Sequence, residues 1–318
     1  MNQPTNNRVL IVDQMHDSVE RLFTEAGFEP DYRPDIKPAE VLDIIHQYGG
    51  VVVRSKMAID KSFLDAAVNL RFVARAGAGI DKIDYPYLTE KGVKLVNAPE
   101  GNRDALGEHA IGMLLNLFHR LDKGNREVRD MIWDREGNRG FEVKGKTIGI
   151  FGFGFMGSAF AEKLRGFSCR VLAYDKYKTD LSNEYVEQVD LETFFREVEI
   201  LSIHVPLTAE TRFLFDEAYL ERFQNLKVVV NTSRGEVLKL SALNKLLAEG
   251  KLLGAALDVL ENEKLKTLTE EQQQDFDTLR AFGNVILSPH VGGWTFESYE
   301  RINEVLVSKL QAEGLAHV

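Results

Sequence analysis

One cysteine, Cys169, stands in 318 residues. An intramolecular disulfide is therefore excluded, as is any zinc site built on several thiolates. The seven histidines include no i, i+4 pair of the kind that grips zinc from one helix face, so no metal is expected. Long apolar runs are also missing. None approaches the ~18–20 residues of a membrane span. The opening MNQPTNNR, followed only by the short run Val9–Val12, lacks the charged-then-apolar profile of a secretory signal. A soluble, cytoplasmic protein is expected. Positive charge is scarce: 39 Lys plus Arg stand against 49 Asp plus Glu, a net charge of −10, with no dense basic tract. That argues against a non-specific grip on nucleic acid or anionic membrane and leaves room for a local basic pocket for a small anion. No serine sits in a G-x-S-x-G elbow, so acyl transfer is not supported.

What is present has the balance of a folded globular chain, with 44% hydrophobic and 28% charged residues. The length suggests about two domains. Short β-branched runs alternate with amphipathic segments, a rhythm that implies α/β domains with parallel sheets. In the N-terminal part the strand candidates are 8–13, 51–54, 72–74 and 93–96. Residues 102–121 read as a long helix, with Asn102 or Asp104 as its cap. Residues 122–146 read as an exposed connection, and Trp133 within it as a group seeking burial against another element or subunit. A second series has strand candidates at 147–152, 170–175, 200–205, 227–232, 255–260 and 284–288, and an amphipathic segment at 295–312 closes the chain.

Residues 147–157 read TIGIFGFGFMG, so Gly152, Gly154 and Gly157 form G-x-G-x-x-G directly after an apolar strand. Gly152 permits the tight turn, Gly154 lets backbone approach a pyrophosphate, and Gly157 lets the helix sit close to the strand. The helix N-terminus offers free N–H groups to phosphates. Eighteen residues beyond Gly157, a second strand ends in Asp175, placed to accept hydrogen bonds from an adenosine ribose diol. A carboxylate there repels a 2′-phosphate, so NAD is expected over NADP, with Lys176 and Lys178 softening that preference.

Three polar residues follow successive strand ends, where ligands collect in open α/β sheets. Arg234 follows VVVNTS, Glu263 follows AALDVLEN and His290 follows NVILSP. An Arg can bind a carboxylate bidentately and polarise a carbonyl. A His can exchange a proton with a hydroxyl. A Glu beside it would hold its tautomer and stabilise the imidazolium. Each alone is usually a solvated surface group or turn residue, but together, behind a dinucleotide fingerprint, they point to redox chemistry.

The whole pattern resembles the D-isomer-specific 2-hydroxyacid dehydrogenase family, and most closely its phosphoglycerate dehydrogenase-like members. The resemblance runs through VVVRS (51–55), RFVARAGAGIDKID (71–84), KGVKLVNAPEGN (91–102), the fingerprint, HVPLTAETR (204–212), VVVNTSRGEVL (228–238), GAALDVLENE (254–263) and NVILSPHVGG (284–293). It implies two doubly wound domains with the active site in the cleft between them. Residues 1–101 plus 290–318 would bind substrate and 102–289 would bind NAD. By the same resemblance His290 is the general acid/base, Glu263 its partner, and Arg234 the ligand of the substrate carboxylate and reacting oxygen. Backbone N–H groups of Gly77, Ala78 and Gly79 would hold the carboxylate. Arg54, with Ser55 beside it, would meet a distal phosphate, and Arg75 and Lys82 would add positive potential. Asp258 would hydrogen-bond the nicotinamide amide. Val205, Pro206, Thr211, Thr232, Ser233 and Gly292 would line the cofactor, with the Phe155 and Met156 N–H groups at its phosphates. A homodimer is implied.

Some residues depart from the family pattern. Lys264 replaces a frequent Pro. Residues 264–281 are longer than usual and read as containing a helix. Phe155 stands where many relatives have a basic residue, and Trp294 where small residues are common. The end at Val318 leaves no room for a C-terminal serine-sensing domain, so serine inhibition of that type is not expected. Rival readings are a glyoxylate- or hydroxypyruvate-type reductase and an NADH-sensing interaction protein. A formate dehydrogenase-like role is disfavoured because Glu263 is a carboxylate and not an amide.

Overall fold

The structure, a computed structural model, describes residues 6–316. They divide into two compact units, one comprising the residues up to 102 and from Trp294 onward, the other Arg103–Gly293.

The first unit alternates β1 (Arg8–Ile11), α1 (Ser18–Glu25), β2 (Glu29–Tyr32), α2 (Pro38–Ile44), β3 (Gly50–Val53), α3 (Lys61–Ala66), β4 (Phe72–Arg75), α4 (Tyr85–Glu90) and β5 (Lys94–Asn97). The strands form one sheet in the order β2-β1-β3-β4-β5, every pair parallel. Val9–Ile11 and Val51–Val53 are buried on both sheet faces, which is why their sequences read as continuous apolar runs without alternation. Short helices start where an Asp accepts an orphan N–H: Asp60 from Phe63 and Asp84 from Tyr87. Strand β2 (EPDY) escapes a periodicity reading. It is an edge strand, the place where Pro30 and the exposed Glu29 are tolerated in a sheet.

Helix α5 (Pro99–His119) opens with proline at its first position, where the missing N–H costs nothing and φ is preset. It thus begins before the expected 102, and Asn102 and Asp104 lie inside the helix and do not cap it. Arg120, in left-handed backbone at φ 52°, breaks it, and α6 (Leu121–Arg129), a helix with no buried residue, leads into the stretch expected to be an exposed connection.

The rest of the second unit runs β6 (Thr147–Phe151), α7 (Phe155–Lys163), β7 (Arg170–Tyr174), β8 (Glu187–Gln188), α8 (Leu191–Glu197), β9 (Ile200–Ile203), α9 (Glu217–Leu220), β10 (Val228–Asn231), α10 (Leu240–Ala248), β11 (Gly254–Leu257), α11 (Glu270–Ala281) and β12 (Val285–Leu287). Its parallel sheet has the order β12-β11-β10-β9-β6-β7-β8. The chain reverses its winding between β6 and β9, and ligands of doubly wound sheets bind beyond the carboxyl ends of strands at such a point. Strands β9, β10 and β11 are wholly buried, and each fully buried Val, Ile or Leu there contributes about 1.5–3 kcal/mol. Edge strand β8, two residues long, is a seventh strand beyond the six expected. Helix α11 occupies most of the long 264–281 segment and starts at a capping box between Thr269 and Gln272.

Helix α12 (Phe296–Ala312), capped by Thr295, returns to the first unit, where Ile302, Leu306 and Leu310 join the core beneath Val9, Ile11 and Phe72. Residues 290–293 stay with the second unit because the backbone N–H groups of His290, Val291 and Gly292 all donate to Asp258, the first to its carbonyl and the others to its carboxylate. No helix among the described residues is long and apolar enough to cross a membrane.

Candidate active site

The fingerprint turn joins β6 to α7. Gly152 has φ +93°, a conformation L side chains rarely adopt, and a Cβ there would lie 2.9 Å from the His204 carbonyl oxygen. A Cβ on Gly157 would come within 2.2 Å of the Gly152 carbonyl oxygen, so only glycine lets α7 lie this close. A Cβ on Gly154 would meet nothing within 4 Å, leaving that face of the backbone open. Gly154 is the N-cap of α7, with Phe155 and Met156 in the first turn. Asp175, just past β7, braces this turn: one oxygen accepts the Phe153 N–H at 2.8 Å, the other the Tyr177 and Lys178 N–H groups at 3.0 and 3.1 Å.

Beyond β9, half-buried Val205 packs beside Gly152. The Thr211 hydroxyl donates to the Pro206 carbonyl at 2.6 Å, closing its own loop. Beyond β10, Asn231 organises the turn that presents Arg234. Its amide N–H donates to the Arg234 carbonyl at 3.0 Å, and its Oδ1 accepts from the Ser233 N–H and hydroxyl at 3.0 and 2.9 Å. Gly235 is obligatory there, since a Cβ would lie 1.9 Å from the Leu260 backbone. Thr232 is buried, and its hydroxyl has no hydrogen-bond partner among the described residues. A buried orphan hydroxyl costs free energy unless a ligand satisfies it.

Beyond β11 and β12 the structure brings His290 and Glu263 together. Nδ1 of His290 lies 2.8 and 2.9 Å from the two Glu263 oxygens. A carboxylate only accepts, so Nδ1 carries the proton and Nε2 faces outward as the exchangeable site. His290 has φ +55°, a left-handed conformation uncommon outside glycine and frequent at functional positions. Asp258 is buried under this turn. One oxygen accepts from the Ser288 hydroxyl at 2.6 Å and the Val291 N–H at 2.9 Å, and the other from the Gly292 N–H at 2.7 Å, while His109 Nε2 stands 3.4 Å away. Burial pushes the Asp258 carboxyl up, but the hydrogen bonds from His109, Ser288, Val291 and Gly292 outweigh it and hold it below the usual carboxylate range. Asn231, Ser288 and His109 were not singled out from the sequence. They act through partners that only folding supplies, and no local motif flags them.

In the first unit, Gly77 has φ +127° and its carbonyl accepts the Ala98 N–H at 2.9 Å. The Ala78 carbonyl accepts the Asn97 amide at 2.8 Å. With the carbonyls of this turn tied down, the N–H groups of Gly77, Ala78 and Gly79 donate to no other described residue, a backbone arrangement suited to a carboxylate. Arg54 and Ser55 follow β3, and their N–H groups donate to buried Asp13 at 2.6 and 3.2 Å.

The model for the NAD binding domain of D-isomer specific 2-hydroxyacid dehydrogenases matches residues 111–292, more than half of the chain. The chain belongs to the D-isomer specific 2-hydroxyacid dehydrogenase family. Among its relatives, a D-3-phosphoglycerate dehydrogenase from Archaeoglobus fulgidus is 30% identical over 97% of this chain and 58% of its own length. A hydroxypyruvate reductase from Thermotoga maritima is 34% identical over 86% of this chain and 87% of its own. The crystal structure of a D-lactate dehydrogenase from Aquifex aeolicus, complexed with NAD and lactic acid, superposes with a TM-score of 0.81 at 26% identity, covering 96% of each chain. The chain thus spans little more than half the length of the phosphoglycerate dehydrogenase relative. The open Gly154 backbone, the Asp175 carboxylate and the orphan Thr232 hydroxyl fit the NAD that this family's domain binds.

Proposed function

We propose that this chain is an NAD-dependent D-2-hydroxyacid dehydrogenase of the phosphoglycerate dehydrogenase type, interconverting a 2-hydroxy acid and its 2-oxo acid. The observation that carries this reading is the Glu263–His290 pair, which presents Nε2 of an imidazole whose other nitrogen is held by a carboxylate. Bound NADH supplies a hydride to C2 of the 2-oxo acid, and NAD accepts it in the reverse direction. His290 Nε2–H donates the proton to the substrate oxygen. Glu263 stabilises the imidazolium before transfer and keeps Nδ1 protonated after it. Arg234 offsets negative charge as it develops on that oxygen. The N–H groups of Gly77, Ala78 and Gly79, together with Arg234, bind the substrate carboxylate, and Arg54 with Ser55 receives the distal phosphate. Asp175 accepts from the adenosine ribose, and Asp258, whose second oxygen keeps a lone pair, accepts from the nicotinamide amide. Gly152, Gly154, Gly157 and the Phe155 and Met156 N–H groups hold the pyrophosphate. Val205, Pro206, Thr211, Thr232, Ser233 and Gly292 line the rest.

The substrate-binding part is 1–101 with the C-terminal helix, and the cofactor-binding part is the segment between them. A homodimer in the cytoplasm is the working state. The dimer is supported by exposed apolar side chains clustered in sequence on and after α6: Leu121, Val128, Met131, Ile132 and Trp133.

The test is NADH oxidation with 3-phosphohydroxypyruvate, hydroxypyruvate, glyoxylate and pyruvate. Preference for the phosphorylated acid supports the phosphoglycerate dehydrogenase reading and a place in serine biosynthesis. Preference for the small acids replaces it with a general 2-oxo acid reductase, the reading favoured by names such as hydroxypyruvate reductase among the relatives. No turnover on any of them overturns the proposal.

A further inference from the structure

Arg54 is a charged group with an unusual set of neighbours. Its guanidinium carbon stands 4.2 Å from the centroid of the Trp294 ring and 6.0 Å from that of Tyr299. The two rings lie 4.8 Å apart, inclined at 48°. Stacking occupies the face of a guanidinium and leaves its in-plane N–H donors available. Those donors have little to do. Nη1 reaches the Gln14 carbonyl at 3.5 Å, the Tyr299 hydroxyl is the other polar neighbour, and no carboxylate pairs with Arg54 among the described residues. Asp13, beneath the same loop, is spent on backbone: one of its oxygens accepts the N–H groups of Arg54, Ser55 and Lys56 at 2.6, 3.2 and 3.3 Å. A second cation borders the same loop, since Lys82 Nζ donates to the Ser55 carbonyl at 3.2 Å.

The aromatic side of this arrangement is tied to α12. Trp294 directly precedes Thr295, whose hydroxyl accepts the Ser298 N–H at 3.1 Å while the Ser298 hydroxyl accepts the Thr295 N–H at 2.9 Å. This capping box fixes the entry to α12, and Tyr299 stands in its first turn, edge-on to His16 at 6.0 Å. Helix α12 is locked into the core by Ile302, Leu306 and Leu310. The Arg54 side chain thus lies against rings carried at the start of a helix that is packed into the core.

Resting on the dehydrogenase reading above, we propose that Trp294 and Tyr299 are positioning residues. They hold the Arg54 guanidinium as a receptor for a second anionic group, phosphate or carboxylate, at the far end of a 2-oxo acid, and so set substrate choice. Trp294 thereby pre-orders a charge, which lowers the entropy cost of binding an anion to a long side chain.

The experiment is steady-state NADH-dependent reduction of 3-phosphohydroxypyruvate and oxaloacetate, which carry a distal phosphate and a distal carboxylate, and of glyoxylate, which carries neither. Wild type is compared with Trp294→Ala, Trp294→Phe, Arg54→Ala and the Arg54→Ala/Trp294→Ala double variant. For Trp294→Ala the KM of the acid with the preferred distal anion rises tenfold or more at nearly constant kcat, and glyoxylate kinetics stay as in wild type. Trp294→Phe recovers most of the loss, and the double variant is no worse than Arg54→Ala alone. Which of the two acids with a distal anion responds identifies phosphate or carboxylate. Equal loss on all three acids, no loss on any, or additive losses in the double variant overturns the platform while leaving the dehydrogenase reading intact. If wild type reduces none of the acids, the dehydrogenase reading fails and the platform is judged by calorimetric titration with 3-phosphoglycerate. Saturable binding that is lost in both Arg54→Ala and Trp294→Ala and largely kept in Trp294→Phe supports it, and binding that Arg54→Ala and Trp294→Ala retain, or no binding by wild type, overturns it.

Discussion

Asp258 holds Gly292 through a 2.7 Å hydrogen bond from the Gly292 N–H, and a Cβ at 292 would come to 2.9 Å from the same carboxylate oxygen. The carboxylate and the glycine therefore fit only each other. Because the His290 N–H also donates to the Asp258 carbonyl at 2.8 Å, one buried acid anchors the turn that carries the candidate proton-transfer residue. That anchor explains how His290 keeps a left-handed backbone.

Asp258→Asn is expected to loosen this turn. An amide in either orientation sets an NH2 group against an N–H or hydroxyl donor that the carboxylate now accepts. The expected cost is about 1–3 kcal/mol of stability, the usual effect of losing a charged, buried acceptor. Thermal unfolding of the variant checks it. Because the folded carboxyl is held below its ordinary value, its contribution is present above the unfolded value near ~3.9 and is lost as pH falls through the lower folded value. The variant's deficit should accordingly shrink in strong acid.

His290→Ala is expected to reduce turnover by about 10²–10⁴-fold, the usual worth of a general acid/base, while NADH still binds. Glu263→Gln should lower turnover as well, since an amide does not stabilise the imidazolium. Rates of NADH oxidation set beside NADH fluorescence titrations separate the chemistry from binding. Near wild-type turnover in His290→Ala would sink the assignment.

His204, at the end of β9, is buried, and burial lowers its pKa to about 3. Its Nε2 lies 2.8 Å from the Ser202 hydroxyl, and its Nδ1 has no partner among the described residues. Between about pH 6.5 and 3 the unfolded chain binds a proton at this residue that the folded chain does not, so stability falls as pH drops through that window and is flat above it. At pH 5 the loss from this one group is on the order of 2 kcal/mol relative to pH 7.5. Urea unfolding of His204→Gln across the same range should show a shallower slope. An unchanged slope would mean that other groups dominate acid unfolding.

Dinucleotide choice should depend on Glu210 as well as Asp175. Glu210 pairs with both Lys176 and the Tyr177 hydroxyl, and Lys178 donates to the Phe153 carbonyl at 3.1 Å. Both cations beside Asp175 are thereby engaged away from a 2′-phosphate. Glu210→Gln releases Lys176 and should raise the NADPH-to-NADH ratio of kcat/KM by up to about fivefold, the limit set by an exposed pair worth at most about 1 kcal/mol. Kinetics with each cofactor measure the ratio directly.

Residues whose role is local were legible in the chain itself. Gly152, Gly154 and Gly157 stand at a fixed spacing after an apolar strand because a tight turn, an open backbone face and a close helix each demand glycine within six residues. The buried parallel strands announced themselves as β-branched runs, since burial on both faces removes any need for polar alternation. Arg234, Glu263 and His290 could be picked out because doubly wound sheets collect ligands at strand ends. Partnerships formed at a distance were decided only by the tertiary structure. Strand β2 exists because β1 offers it an edge, not because EPDY favours extension. His109 and Ser288 matter because α5 and β12 deliver them to one buried carboxylate. Trp294 meets Arg54 because α12 packs back onto the first sheet. Such pairings follow from the burial of helix faces against sheets, which no window of sequence contains.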